Sequence, residues 1–418
     1  MGILEELKYR ECLFQTTEGV DKRLAEGPAN IYWGVDPTAA SMTIGNLVPV
    51  VMFRRLQLAG HHPIALVGGG TGLIGDPSGK DEERLLSTYE VVAENTASMR
   101  RELGRFLDFD DKTNPAQMVS NLDWLSELRI IDFLRDVGKH FSINQMLAKE
   151  SVSSRLETGI SFTEFSYMVL QAYDFLELYR RRNCEIQIGG SDQWGNITAG
   201  IDLIRRELGA QAYGFTNPLL ERSDGKKFGK SEKGAVYLNP ELTSPYQFYQ
   251  WFVNVPDADV VKFLKIFTFL DSDAIEAIGS EVEAVPEKRE GQRVLAKEVA
   301  TFVHGQDAAK RAIHISEALF YGNLGDLSEQ EVEEGFSDVP SHTLSGDDRK
   351  GLIDLLVEGG VSSSKREARE DIKSGAVSVN GERHTDLAMT LSPADTLAGK
   401  FVVIRRGKHK YFLVRWER

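Results

Sequence analysis

Residues 31–67 read IYWGVDPTAASMTIGNLVPVVMFRRLQLAGHHPIALV, and this stretch decides the fold class. Ile31–Val35 and Pro63–Val67 are short apolar runs closed by turn formers, Asp36-Pro37 after the first and Gly68-Gly69-Gly70 after the second. Runs of this kind read as buried strands. Between them, over 45–59, Leu47, Val50, Val51, Phe53, Leu56 and Leu58 recur at helical spacing. Strand, helix and strand in so short a span predict the βαβ unit of a parallel sheet.

The same alternation continues outward. Residues 161–182 predict the clearest helix, with Ser161 and Glu164 as a capping box before an apolar stripe of Phe165, Met168, Val169, Ala172, Phe175 and Leu176. A strand over 184–188, a turn at Gly189-Gly190-Ser191 and a helix over 196–208 follow. The expectation is an α/β domain over 1–220, a doubly wound parallel sheet of the Rossmann-like kind. A lysine-bearing segment over 221–245 comes next, and then an α-helical domain over 246–321, with patterns at Val260–Phe269 and Arg293–Val303. Residues 322–349 are acidic and poor in large apolar groups, which reads as a linker. The remainder, 350–418, predicts a small α+β module. It has a helix at Leu352–Val357, a basic amphipathic helix over 362–373, and strands at 376–379, 401–405 and 411–414.

Length and composition bound the rest. A chain of 418 residues, 41% hydrophobic and 27% charged, buries a sizeable core in several domains and excludes disordered and collagen-like classes. Cys12 and Cys184 are the only cysteines and lie far apart, which leaves no disulfide framework and no cysteine zinc site. The eight histidines lack metal-ligand spacing. The opening residues carry acids and no long apolar stretch, and no apolar run approaches a membrane span, so a soluble cytoplasmic protein is expected. Net charge is −14, which taken alone argues against a nucleic-acid partner. The tail from Lys350, however, holds 13 Lys and Arg against 9 Asp and Glu, a surplus of +4 that leaves −18 for the body. The tail is where an RNA contact is expected first.

Four motifs carry chemistry. Gly70-Thr-Gly-Leu-Ile-Gly75 matches the dinucleotide fingerprint in letters, but it runs into Asp76-Pro77 where a helix should open. It reads instead as backbone approaching a ligand, with Asp76 presented beyond a strand's carboxyl end. Lys226-Lys227-Phe228-Gly229-Lys230-Ser231 ends like a Walker loop, yet position 224 is Asp, so the P-loop reading fails. It predicts a mobile lysine loop suited to a polyphosphate whose charge grows in the transition state. On the helix 161–182, Tyr167, Gln171 and Asp174 fall on one face, a polar strip beside the apolar stripe. Finally, Gln187-Ile-Gly-Gly-Ser-Asp192-Gln193-Trp-Gly joins a strand to a helix, a position suited to anions or sugars.

Taken together, these segments resemble the bacterial-type tyrosyl-tRNA synthetases, a class I aminoacyl-tRNA synthetase family. The resemblance runs through Tyr32-x-Gly-x-Asp36-Pro-Thr38-Ala, the glycine-rich stretch from Ala65 to Asp76-Pro-Ser-Gly, Ile160–Tyr167, Gln187–Asn196 and Lys227-Phe-Gly-Lys230-Ser231. It covers essentially the whole chain, and the tail resembles a small RNA-binding module shared with a ribosomal protein. The resemblance implies that L-tyrosine is activated by ATP and passed to tRNA(Tyr), with Mg²⁺ entering on ATP and a homodimer as the working form. It further implies that Tyr32 and Asp174 meet the phenol hydroxyl, that Asp76, Tyr167 and Gln171 hold the ammonium group, and that Gln187 and Gln193 line the tyrosine site. Gly34, Asp36, Gly45, Gly190, Asp192 and Leu220 would receive the nucleotide. Thr38, Thr43, Asn46, Lys80, Arg84, Lys227, Lys230 and Ser231 would serve the phosphates.

Two departures stand out. The family's H-I-G-H signature is Thr43-Ile44-Gly45-Asn46 in this chain, and Trp33 occupies a position that is small in many relatives. Thr43 keeps a second reading open, an RNA-binding relative with weakened or lost adenylation.

Overall fold

The computed structural model describes residues 2–417 except 79–86, 154, 157–158, 226–227, 232–233, 347–348 and 408–409. For 150–151 and 230–231 it describes the backbone alone. The described chain forms two compact units. One comprises residues up to Thr243 together with Val255–Leu295, and the other comprises Ser244–Asn254 with the chain from Ala296 onward. The helical stretch expected over 246–321 is therefore divided between them.

The first unit is built on a six-stranded sheet of β1 (Gln15–Thr16), β2 (Asn30–Val35), β3 (His62–Val67), β4 (Gln117–Ser120), β5 (Cys184–Gly190) and β6 (Tyr213–Asn217). Its order is β1-β6-β5-β2-β3-β4, with only β1 antiparallel to its neighbour. The doubly wound expectation thus holds, and the order reverses between β2 and β5, the switch point where open α/β sheets bind ligands. The helix Leu47–Leu58 crosses from β2 to β3 and is apolar nearly all round; Val51, Met52, Phe53 and Leu56 are fully buried. Helix Phe162–Arg182 starts at Ser161, whose side chain accepts from the Glu164 amide. The other half of the expected capping box is diverted, because the buried Glu164 carboxylate turns to Arg155. This helix packs on Trp194–Leu208 at Gly200, where a Cβ would sit 2.9 Å from the Phe175 ring.

In the second unit, the helix Pro245–Val253 buries Phe248, Tyr249, Trp251 and Phe252. The tail forms a five-stranded sheet in the order Glu382–His384, Val377–Val379, Phe401–Arg406, Lys410–Glu417, Ser341–Ser345. Its last strand belongs to the stretch expected as a linker. Residues 322–349 instead hold the helix Glu329–Gly335 and the strand Ser341–Ser345, which pairs in parallel with Lys410–Glu417. The physical reason is a small set of apolar groups. Leu324, Leu327, Val332 and Phe336 are buried against Phe401, Val403 and Leu413, Asp326, Glu329 and Asp338 are exposed, and the buried Glu331 carboxylate is held by Ser328 and His314.

No helix of the described residues is long and apolar enough to cross a membrane.

Candidate active site

At the switch point the strand ends open a cavity of about 280 Å³. Tyr32 and Gln187 lie opposite each other in the register of β2 and β5, so their side chains project to the same face. Tyr167, Gln171 and Asp174 line one wall from the helix Phe162–Arg182, and Asp76 enters from the chain beyond β3. There the glycine-rich stretch makes a 3₁₀ turn at Thr71–Leu73, not a long helix. Asp192 and Gln193 come from the turn after β5. Gly34, Asp36, Thr38, Gly45, Asn46 and Gly190 complete the lining that the sequence led us to expect. Leu219 lines the cavity where Leu220 was expected. Trp33 lines it too, its ring edge-on to Phe53 at 6.2 Å.

Two hydrogen-bond chains organise the walls. In one, the Tyr167 hydroxyl donates to Asp36 Oδ2 at 2.8 Å and the Thr71 hydroxyl donates to Asp36 Oδ1 at 2.7 Å. Asn121 Nδ2 then donates to Thr71 Oγ1 at 2.8 Å and to Asp174 Oδ2 at 2.9 Å, while Trp124 Nε1 donates to Asp174 Oδ1 at 2.7 Å. In the other, Gln193 Nε2 donates to Asp76 Oδ2 at 2.7 Å, and Asn196 Nδ2 donates to the Gln171 and Gln193 oxygens at 3.0 Å each. Sequence reading missed Thr71, which belongs to the lining, and Asn121, Trp124 and Asn196, which stand behind it.

Electrostatics follow from burial. Burial lifts the Asp174 carboxyl to about 8 against the pull of Asn121 and Trp124, and it raises the Asp76 carboxyl as well. The Tyr32 and Tyr167 phenols are pushed far above their ordinary value by the same cause. Tyr32 Oη and Gln187 Oε1 are buried, and neither has a partner among the described residues. A buried polar group left unpaired costs about 1–3 kcal/mol, a cost that a ligand supplying the missing hydrogen bond removes.

Of the residues that the resemblance assigns to the phosphates, several lie outside the described chain. Lys80, Arg84 and Lys227 lie outside the described residues, and of Lys230 and Ser231 only the backbone is described. That backbone forms a two-residue strand paired with Gly234–Ala235. Beside it, Gly229 adopts φ +80° and passes so close to Gly45 that a Cβ would lie 3.3 Å from the Gly45 nitrogen. Phe228 anchors the loop between Phe263 and Phe267, with ring centroids at 5.3 and 5.6 Å. Thr43 is not among the lining residues; it stands behind Asn46 and bonds to it. Among the described residues no group of three or more metal-ligating side chains gathers in one place.

Comparison with known proteins gives the class first. Residues 24–321 match the tRNA synthetases class I (W and Y), and residues 331–414 match the tyrosine–tRNA ligase SYY-like C-terminal domain. The chain belongs to the class I tRNA synthetases of tryptophan and tyrosine. Within that family it stands among the tyrosine–tRNA ligases. It is 56% identical to the tyrosine–tRNA ligase of Bacillus velezensis over 99% of this chain and all of that one, and 56% identical to tyrosine–tRNA ligase 1 of Bacillus subtilis over the full length of both. A solved structure, the C-terminally truncated mitochondrial tyrosyl-tRNA synthetase of Aspergillus nidulans, superposes with a TM-score of 0.70 at 30% identity. That superposition covers 76% of this chain and 94% of the other.

Proposed function

We propose that this cavity makes tyrosyl-adenylate in a chain whose activity is tyrosine–tRNA ligation. One observation carries the reading: a buried, unpaired Tyr32 hydroxyl sits in the same cavity as a carboxyl, Asp174, that two donors hold in place. That pair suits a phenol hydroxyl, and a site built to pair a hydroxyl penalises the analogue lacking one. Asp76, Tyr167 and Gln171 take the ammonium group, Gln193 the carboxylate end, and Asp192 the ribose. The tyrosine carboxylate oxygen attacks the α-phosphorus of ATP. An oxygen–phosphorus bond forms there as the bond to the β-phosphate breaks, and pyrophosphate leaves. A ribose hydroxyl at the 3′ end of tRNA then attacks the carbonyl carbon, and AMP and a proton depart.

The described lining offers no cysteine, serine, histidine or lysine. Catalysis in this reading rests on positioning and on stabilising the charge that develops on the phosphates. ATP enters as its magnesium complex, with Thr38, Asn46 and the lysine loop of Lys227 and Lys230 on the phosphate side. The basic tail receives the tRNA. The working form is a homodimer; in support, Ile130, Ile131, Leu134, Ile143 and Phe162 expose large apolar side chains within one stretch of chain. Ile131→Glu is expected to shift the sedimenting species from dimer to monomer at micromolar concentration, and an unchanged dimer refutes this face.

The test of the main reading is ATP–pyrophosphate exchange by the full chain. It should depend on tyrosine and strongly prefer it to phenylalanine, and Tyr32→Phe should narrow that preference by about tenfold. Equal rates with the two amino acids overturn the assignment of Tyr32 and Asp174. Background exchange in a folded chain overturns adenylation altogether and returns the chain to the RNA-binding reading that Thr43 raised.

A further inference from the structure

The cavity has two halves, one on each face of the sheet. Tyr32 and Gln187 project to the face covered by the helix Phe162–Arg182, where the Tyr32 and Phe175 ring centroids lie 5.1 Å apart. Side chains alternate along a strand, so Trp33 and Ile188 project to the opposite face, where Trp33 meets Phe53 of the helix Leu47–Leu58. The register carries that second face one strand further. Ile188 pairs with Phe215, and Gly190 pairs with Asn217, the last residue of β6. Asn217 lines the cavity beside Leu219 and is only 5% exposed. Its Nδ2 donates to Pro218 O at 3.0 Å. A carbonyl oxygen can only accept, so this bond fixes the carboxamide with its NH₂ on Pro218 and its oxygen on the other side. That oxygen, Oδ1, is buried and receives no hydrogen bond among the described residues. The neighbouring position, Gly190, carries no side chain, and a Cβ there would sit 2.4 Å from Asp192 Oδ1 and 3.2 Å from Leu219 Cδ2. One row further back along the strands, Trp33, Ile188 and Phe215 form a buried floor.

We infer that Asn217 reads the base of the nucleotide, its Oδ1 accepting a hydrogen from the 6-amino group of adenine. This rests on the adenylation reading above and adds to it a source of base specificity. In that reading the phosphates lie by Asn46, beyond β2, and the ribose lies by Asp192, beyond β5. The base then falls at the next strand, β6, which ends in Asn217. Neighbouring strands lie about 4.8 Å apart, so β2 to β6 spans about 10 Å, room for one ribose between the α-phosphate and the base. A lone acceptor suits a 6-amino purine. It is the wrong partner for a 6-oxo purine, whose O6 would face Oδ1 with no hydrogen between the two oxygens. A purine with no 6-substituent leaves Oδ1 as it stands in the free chain, buried and unpaired, and forfeits the gain that adenine brings.

Tyrosine-dependent pyrophosphate exchange by the full chain tests this with three nucleotides: ATP, purine riboside triphosphate, which lacks only the 6-amino group, and 2′-deoxy-ATP. The wild-type chain should prefer ATP to purine riboside triphosphate by about tenfold in kcat/KM. Asn217→Leu keeps the size of the side chain and removes the acceptor. It should bring that ratio close to unity by losing rate on ATP alone, with the KM for tyrosine unchanged. The penalty for 2′-deoxy-ATP should be the same in both chains. An ATP preference unchanged in Asn217→Leu overturns the inference, and so does equal use of ATP and purine riboside triphosphate by the wild-type chain. A variant that instead abolishes the 2′-deoxy-ATP penalty puts Oδ1 on the ribose and overturns the base assignment. If Asn217→Leu does not fold, as its melting curve shows, Asn217→Ala decides by the same ratio. Background exchange with ATP in the wild-type chain is the separate outcome that removes the adenylation reading.

Discussion

At the scale of single residues, the buried Asp174 carboxyl of the cavity titrates far from its ordinary value. Burial raises its carboxyl from 3.8 to about 8, so between about pH 4 and about pH 8 the folded chain binds a proton that the unfolded chain has lost. A group that binds more protons folded than unfolded makes the fold less stable as pH rises through that window. Asp174→Asn removes the titration while keeping an oxygen toward one of the two donors, and should give a shallower fall of melting temperature between pH 5 and pH 8 in calorimetry. A slope as steep as wild type places the titration elsewhere. Tyr167, Gln171 and Asp174 were legible in the sequence because a helix of 3.6 residues per turn brings them to one face. Asn121 and Trp124, which hold Asp174 in place, were not legible. They come from the connection after β4, where no periodicity records which side chains turn inward, and a neighbour distant in sequence gives no local signal.

At the scale of elements, the lysine loop is fixed at its aromatic residue. Phe228 stacks on Phe267 with ring planes 8° apart and meets Phe263 edge-on, so the helix Asp257–Phe267 is its support. That helix is tied in turn to the first βαβ unit. The buried Arg55 donates to Ile266 O at 2.8 Å and to Thr268 O, and Arg10 donates to Thr268 O at 3.0 Å and Leu270 O at 2.9 Å. Cations at a helix C-terminus satisfy its free carbonyls and complement its dipole. Phe228→Ala should therefore lower the exchange rate about tenfold through loss of loop position, with tyrosine affinity, read by equilibrium binding, unchanged. Weakened tyrosine binding in that variant shows that the loop props up the amino-acid site instead. The βαβ unit was fully legible because its strands are buried on both faces. The stretch 322–349 was misread because its average composition is acidic, whereas the few apolar residues at buried positions decide its structure.

For the whole molecule, the average net charge of −14 hides a division of labour. The helix Lys365–Lys373 exposes Arg366, Arg369 and Lys373 in a tail that is otherwise near balance. Replacing these three with alanine should weaken tRNA binding and flatten the slope of log affinity against log salt by about two to three, leaving exchange intact. An unchanged slope moves the phosphate contacts elsewhere. Charge substitution is a cleaner probe than removing 350–418, because that deletion strips the strand Ser341–Ser345 of its partner and uncovers Phe336 and Leu327.

The path of the chain between the two units bears on how it is made. The helix Pro245–Val253 belongs to the second unit yet is synthesised before Val255–Leu295 finishes the first. On the ribosome, Phe248, Trp251 and Phe252 emerge well ahead of the helix Gln306–Tyr321 and of the strand Lys410–Glu417 that the completed unit needs. For that interval an aromatic face has no home, and a nascent chain in that state is a natural client for holdase chaperones.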